Sequence, residues 1–316
     1  MQIDTKVRVG ALFKLVKHKG NPEEAVGETA WFHNIVLNSG LDRMSVGTWI
    51  SGCTVSADSN DPMPTQTGFS STIARTTVKV GNVTGGHNTT DPNNPYIFNK
   101  VQFRFSEGLA AGNISSLGMG WGINSLWNAA RVKDAQGSPT TITVLEDEFL
   151  DVYCEIRFYP QLGFSGSFDL LDKYNNVVSS HDYEGTYFYG YFGNDSSLSN
   201  GAITLAAPRN GSSSSYCISS ALANLASRSM TTAGVYNFVD PTTLNYPTAR
   251  SLRGRIFADL NAAIGVHQSF QVGVSLWLRN NYASWGYKWN ITPTITKTRT
   301  ERAYYYLTIS WDRYTP

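Results

Sequence analysis

Apolar and polar residues alternate over much of this chain, with the period of two that places successive side chains on opposite faces of a strand. From Val7 to Val16, the residues Val7, Val9, Ala11, Phe13 and Leu15 share one face. Turn chemistry follows at Lys17-His18-Lys19-Gly20-Asn21-Pro22, and a second apolar run returns from Ala30 to Leu37, ending at Asn38-Ser39-Gly40. A strand is expected over 48–55, and residues 56–70, rich in Ser, Asp, Asn, Pro and Thr, read as a surface loop. Further strands are expected at 72–81, 97–106, 114–121, 126–133, 140–145 and 149–159, where Pro160 and Gly163 punctuate the block. The second half predicts strands at 166–171, 176–180, 183–192, 202–206, 252–263, 268–279, 284–296 and 302–312. Asn210 to Ser215 reads as a low-complexity loop, and Ile218 to Met230, bearing Ala and Leu, as a short helix.

The chain also resembles itself. A gap-free shift of 153 residues lays 103–157 on 256–310. It matches Ala110 with Ala263, Gly112 with Gly265, Ser116 with Ser269, Gly120 with Gly273, Asn128 with Asn281 and Ala130 with Ala283. Thr141-Ile142-Thr143 falls on Thr294-Ile295-Thr296, and Glu148, Tyr153 and Ile156 fall on Glu301, Tyr306 and Ile309. About twelve identities arise where about four are expected by chance. The expected fold is therefore all-β: two antiparallel β-sandwich domains, with internal duplication as the preferred relation between them and one large sandwich with chance matches as the alternative. The first, residues 1–162, is an N-terminal hairpin plus sandwich, and residues 163–316 form the second.

Composition agrees with strands and narrows the function. Hydrophobic residues make up 41% of the chain, enough for a packed interior, and charged residues only 16%, so the polar surface falls to Ser, Thr, Asn and Gly. The net charge of +1 offers no surplus for phosphate neutralisation, and no nucleic-acid partner is expected. The basic clusters at Lys14, Lys17 and Lys19 and at Lys297, Arg299 and Arg302 read as solvated strand faces or hairpin tips. No apolar run approaches the ~20 residues that span a bilayer. The start, Met1 to Lys6, has no apolar core of a signal peptide, so the six N-x-[ST] sequons reflect Asn, Ser and Thr richness rather than glycan sites. Cys53, Cys154 and Cys217 are few and far apart, and encode neither a disulfide framework nor a zinc site.

Catalytic spacings are missing. His181-Asp182 is the one adjacent acid–imidazole pair, and strand neighbours point to opposite faces. Asp58-Ser59-Asn60-Asp61 begins like a calcium loop, but Met63 and Phe69 stand where its glycine and its bidentate acid belong. Glu146-Asp147-Glu148 reads as a solvated turn rather than a glycosidase pair. The expectation is a chain that is not an enzyme and takes no cofactor or metal. Two aromatic rows stand out instead. Trp285, Tyr287 and Trp289 alternate along one strand, as do Tyr187, Tyr189 and Tyr191. Such rows serve a sandwich core, a protomer interface, or stacking on sugar rings.

Several stretches resemble a family of tailed-phage virion proteins encoded near tail-fibre and baseplate genes. Trp31-Phe32-His33-Asn34-Ile35-Val36-Leu37-Asn38-Ser39-Gly40-Leu41-Asp42 is similar to the family's F-x-N-L-I-L-x-x-G-L-D. Cys53 to Asp58, with Pro64 and Thr65, stands where the family has G-T-G-x-x-x-P, with Ser56 and Asp58 in place of two glycines, and Ser70 to Thr76 fits the segment after it. Phe105 to Gly108, Gly112 to Gly118, Leu126 to Val132, Thr140 to Val144 and Glu148 to Tyr159 continue the likeness, ending in a T-I-T-V…E-x-L-x-V-x-Y-E-x-R-x-Y pattern. Leu307 to Tyr314 is also similar. The likeness covers about half the chain, mainly 30–160, and its motifs specify strands and turns. It implies a virion structural protein of the tail, baseplate or collar, made in the host cytoplasm, partnered by other virion proteins and assembled as a symmetric homo-oligomer. The alternative is a receptor-binding module that recognises a host surface glycan through Trp285, Tyr287, Trp289, Tyr187, Tyr189 and Tyr191.

Overall fold

The computed structural model describes residues 2–190, 201–206, 209–210, 213–214, 218–229, 235–236, 244–275 and 285–316. It is almost entirely β. The first strands are β1 (Gln2–His18), β2 (Ala25–Glu28), β3 (Phe32–His33) and β4 (Ile35–Val36), then the helix α1 (Asn38–Arg43). Next come β5 (Gly52–Ser56), β6 (Thr72–Thr76), β7 (Lys79–Asn88), β8 (Tyr96–Phe105), β9 (Gly112–Ile114) and β10 (Ser116–Gly122). They are followed by β11 (Ser125–Leu126), β12 (Asn128–Arg131), β13 (Ile142–Val144), β14 (Phe149–Pro160), β15 (Phe164–Leu171) and β16 (Val177–Tyr189). Then come β17 (Thr204–Ala206), β18 (Arg209–Asn210), β19 (Ser213–Ser214), β20 (Ile218–Ser219) and β21 (Val235–Tyr236). The last are β22 (Leu244–Thr248), β23 (Ser251–Ala258), β24 (Gly265–Ser275), β25 (Trp285–Lys297) and β26 (Ala303–Arg313).

A large sheet runs β22-β23-β26-β1-β14-β8-β7, with β2 and β3 also paired to β1. Its inner face carries the apolar row read from the sequence: Val7, Val9, Ala11, Phe13 and Leu15 are buried, as are Tyr305, Leu307 and Ile309 of β26. Two smaller sheets, β4-β12-β10-β5-β6 and β15-β16-β25-β24-β20-β21, complete the layers, and one hydrophobic core joins all three. Phe270 of β24 meets Tyr305 edge-on with ring centroids 4.8 Å apart, and the Thr76 hydroxyl of β6 donates to the Arg104 carbonyl of β8 at 2.7 Å.

The 153-residue shift carries strand pairs onto strand pairs. Leu150 faces Phe105 and Val152 faces Phe103, while Ala303 faces Ala258 and Tyr305 faces Ile256. Ile142 faces Ile114 and Val144 faces Gly112, while Ile295 faces His267 and Lys297 faces Gly265. Gly112 and Gly265 both have positive φ. Glu148 accepts from the Leu145 amide at 2.8 Å, and Glu301 from the Thr298 amide at 2.8 Å. Because β14 is antiparallel and β26 parallel to β1, the repeats run in opposite directions on either side of it. That is the arrangement of a two-fold axis through β1, normal to the sheet.

The boundary at 162/163 therefore does not separate self-contained sandwiches. β22, β23 and β26 join β1, β8 and β14 in one sheet, because β1 uses both of its edges for pairing. Two local expectations also need correction. Ile218 to Met230 forms no helix over its described residues: β20 pairs with β24, and 220–229 runs as an irregular strap. Ser219, Asn224 and Ser227 side chains take the amides of Ala221, Ala226 and Ser229, which competes with helix formation. Met230 lies outside the described residues. Conversely, the expected turn at Asn38-Ser39-Gly40 opens α1, whose Gly40 lies so close to Trp127 that a Cβ would overlap the Trp127 carbonyl oxygen.

Candidate functional site

Trp285, Tyr287 and Trp289 do project from one face of β25, but that face looks into the core. All three are buried. Trp289 stacks on Phe270 at 5.4 Å with planes 6° apart, Trp285 lies 6.4 Å from Phe158, and the Tyr287 hydroxyl donates to the Lys6 carbonyl at 2.7 Å. Tyr187 is paired opposite Tyr287 in the sheet and is buried too. Tyr189 is half-buried, its ring stacked on His87 at 3.6 Å. Tyr191 lies outside the described residues. The expectation that the 285–289 row or Tyr187 offers a surface for a sugar or a partner is corrected: an enclosed ring has no free face.

Many of the ionisable groups are engaged structurally. Asp151 on β14 accepts two bonds of 2.7 Å from Arg104 and one of 2.8 Å from Gln102, with His18 Nε2 at 3.3 Å. His18 and Asp151 are an imidazole–carboxylate pair distant in sequence, yet both are fully enclosed, and Arg104 occupies both carboxylate oxygens. Against the cost of burial, the Leu145 amide and Lys17 hold the Glu148 carboxyl below its usual range, with Lys17 Nζ 3.0 Å away. Its neighbour Asp147 pairs with Lys19 at 2.7 Å in the turn before β14. Asp58 braces its loop by accepting from the Ser70 amide and hydroxyl at 2.7 and 2.6 Å. His181 points inward, 2.6 Å from the Pro293 carbonyl, while Asp182 is exposed on the other face. Burial raises the thiol pKa of Cys53 and Cys154, which keeps both protonated. Cys217 lies outside the described residues. Among the described residues no three His, Cys, Asp or Glu side chains come together as a metal-holding group. No helix among them is long and apolar enough to cross a membrane.

Side chains available for contact lie on the outer face of the large sheet. On one side of β1, Arg157 sits over the Tyr96 ring at 4.1 Å, and Arg8 lies 5.3 Å from the Tyr314 ring, itself stacked on Tyr159 at 3.8 Å. Lys100 approaches Phe98 at 5.3 Å and the exposed Trp31 at 5.8 Å. On the other side, Phe257 stacks on Tyr304 at 5.0 Å, and Arg255 lies 5.5 and 5.4 Å from those two rings. Each cation–ring contact is worth about 0.5–1 kcal/mol at an exposed site, which favours these side-chain arrangements. It suits non-covalent recognition of a surface. The signal lay in the outward positions of β8 and β23, where rings and Lys or Arg share one face between buried residues, and of β26, which adds Tyr304 and Tyr306. A search for runs of rings passes over such mixed rows. No protein-family model, curated protein or solved structure matches this chain.

Proposed function

We propose that this chain is a structural component of a bacteriophage particle, from the tail, baseplate or collar, which acts by contact with copies of itself and with other virion proteins. The observation that carries the contact role is the outer face of the large sheet, where rings and cations are held ready on a rigid scaffold while the acid–imidazole pair is sealed inside. The phage assignment rests on the sequence likeness over 30–160, whose motifs fall on strands, on α1 and on the segments between them. The host-glycan alternative loses its support at Trp285, Tyr287, Trp289 and Tyr187, whose rings are enclosed. Mass spectrometry of purified particles of the phage that encodes the chain should find it in fixed stoichiometry. Its absence from those particles ends this reading.

A further inference from the structure

The duplication supplies an internal control for the charges on the outer face. In the first repeat, each β8 cation meets an acid on β14: Lys100 lies 3.1 Å from Glu155, and Arg104 grips Asp151. The 153-residue shift places Arg253 at the position of Lys100 and Arg255 at that of Gln102. It places Thr308 at the position of Glu155 and Tyr304 at that of Asp151. The second repeat thus keeps one cation in place, puts Phe257 where Arg104 stood and Arg255 where Gln102 stood, and loses both acids. Arg253 reaches only the Thr308 hydroxyl at 3.4 Å, Arg255 lies over Phe257 and Tyr304, and neither forms an ion pair among the described residues. Two half-buried guanidiniums without carboxylates, beside the half-buried Phe257 ring and the exposed Tyr304 ring, form a surface fitted to acidic groups brought from outside.

The same molecule carries the complement. The sheet order matches β4 of the first repeat with β16 of the second, but β16 continues into a hairpin with β15 that has no counterpart in the first repeat. Only Asp182 to Tyr189 of β16 is paired to β25, so the hairpin projects beyond its sheet. Its outward row reads Glu184, Asp182, Ser180, Val178, all exposed, and neither acid forms an ion pair among the described residues. Leu171 and Val178 near the tip are 48% and 62% exposed, so the end of the hairpin is apolar. The row Arg253, Arg255, Phe257 presents two charges at the same spacing as Glu184 and Asp182, with Phe257 at the step of Ser180, one step short of Val178. Residues two apart on either strand are about 6.6 Å apart, so two carboxylates can meet two guanidiniums in step.

We propose that Arg253 and Arg255, with Phe257 and Tyr304, form a docking surface for the acidic, apolar-tipped β15–β16 hairpin of a second copy of this chain. The hairpin cannot reach the surface of its own chain. Tyr183 and Tyr187 point from β16 toward the core, so Glu184 and Asp182 point away from it; Tyr305 and Leu307 point into the core from the opposite layer, so the arginines face the other way. Unlike surfaces on opposite sides of a protomer meet head to tail, the geometry of a ring or stack. This deepens the oligomeric side of the proposed function and rests on that reading.

The test uses the purified full chain and two charge-reversed variants, Arg253→Glu with Arg255→Glu and Asp182→Arg with Glu184→Arg. Their association is followed by analytical ultracentrifugation at micromolar concentration, and circular dichroism checks that they fold alike. The wild type is expected to self-associate, and more weakly at high salt. Each variant alone should lose association about a hundredfold or more, because both of its surfaces then carry one sign. Mixed in equal amounts, the variants should assemble again, since each supplies the sign the other lacks. A wild type that stays monomeric, a variant that associates as the wild type does, or a mixture that stays monomeric overturns the contact. Absence of the chain from phage particles would overturn the virion reading alone, because the association test involves no particle.

Discussion

The hydroxyl of Tyr305 donates to Nδ1 of His267 at 2.5 Å, deep between the large sheet and the β24–β25 layer. The other ring nitrogen, Nε2, lies 2.6 Å from the Ala263 carbonyl, which can only accept, so Nε2 carries the proton and Nδ1 is the acceptor. This clasp joins the two layers of the second repeat. The corresponding residues of the first repeat are Val152 and Ile114, both buried and apolar. At these two positions the first repeat has apolar side chains, and the second adds a neutral histidine to its packed rings.

That histidine makes the fold sensitive to acid. Burial, with Lys297 adding to it, lowers the pKa of His267 despite the bond to Ala263. The folded chain then binds fewer protons than the unfolded one as pH falls through the ordinary histidine range. The His267 contribution is therefore complete above about pH 6.5 and is lost progressively below it. Urea midpoints near neutrality and near pH 5 should differ more for the wild type than for the double variant His267→Ile with Tyr305→Val. An equal pH dependence in both would remove His267 as the cause.

Lys288 behaves in the opposite range. Its ammonium is buried under the 220–229 strap, donating to the carbonyls of Asn224 and Ser229 at 2.7 and 2.8 Å. Burial, helped by Arg228, lowers its pKa to about 8. Between about pH 8 and the ordinary lysine value the unfolded chain holds the extra proton, so stability attributable to this group rises as pH rises through that window. Lys288→Met should abolish that rise, read as a flat denaturation midpoint from about pH 8 to about pH 10 where the wild type climbs.

Trp289 and Trp31 separate core rings from surface rings. Trp289→Ala should cost about 3–5 kcal/mol in chemical denaturation, because it empties a site closed by Phe270 and the sheet above. Trp31→Ala, at an exposed ring, should stay within about 0.5 kcal/mol. Similar small losses at both positions would contradict the enclosed placement of the β25 row.

Gly286 admits no side chain. A Cβ there would overlap the Val272 carbonyl oxygen on the neighbouring strand and press on the Gly273 Cα beside it. Gly286→Ala should therefore destabilise by about 1–3 kcal/mol through displacement of β24 from β25, measurable as a lowered unfolding midpoint. An unchanged midpoint would mean that these two strands can separate without cost.

Strand content, the apolar face of β1 and the duplicated segments were legible in the residues because period-two alternation and fixed offsets are local properties. The shift that aligns Thr141-Ile142-Thr143 with Thr294-Ile295-Thr296 also aligns their strand partners, so the repeat read in one dimension holds in three. The irregular course of 220–229 was not legible, because its Asn and Ser side chains satisfy backbone amides within the strap, which apolar spacing does not register.

Alternation establishes that Trp285, Tyr287 and Trp289 share a face, and the sequence determined that much by itself. Whether that face meets water or another layer depends on which sheets stack, a contact between segments more than a hundred residues apart. The tertiary structure turned this row inward and left Arg253, Arg255 and the β15–β16 hairpin outside. The pairing of β1 with β14 on one edge and β26 on the other likewise made one continuous sheet of two repeats. An edge strand's hydrogen-bonding groups are the same whatever its side chains, so only the assembled chain decides what fills them.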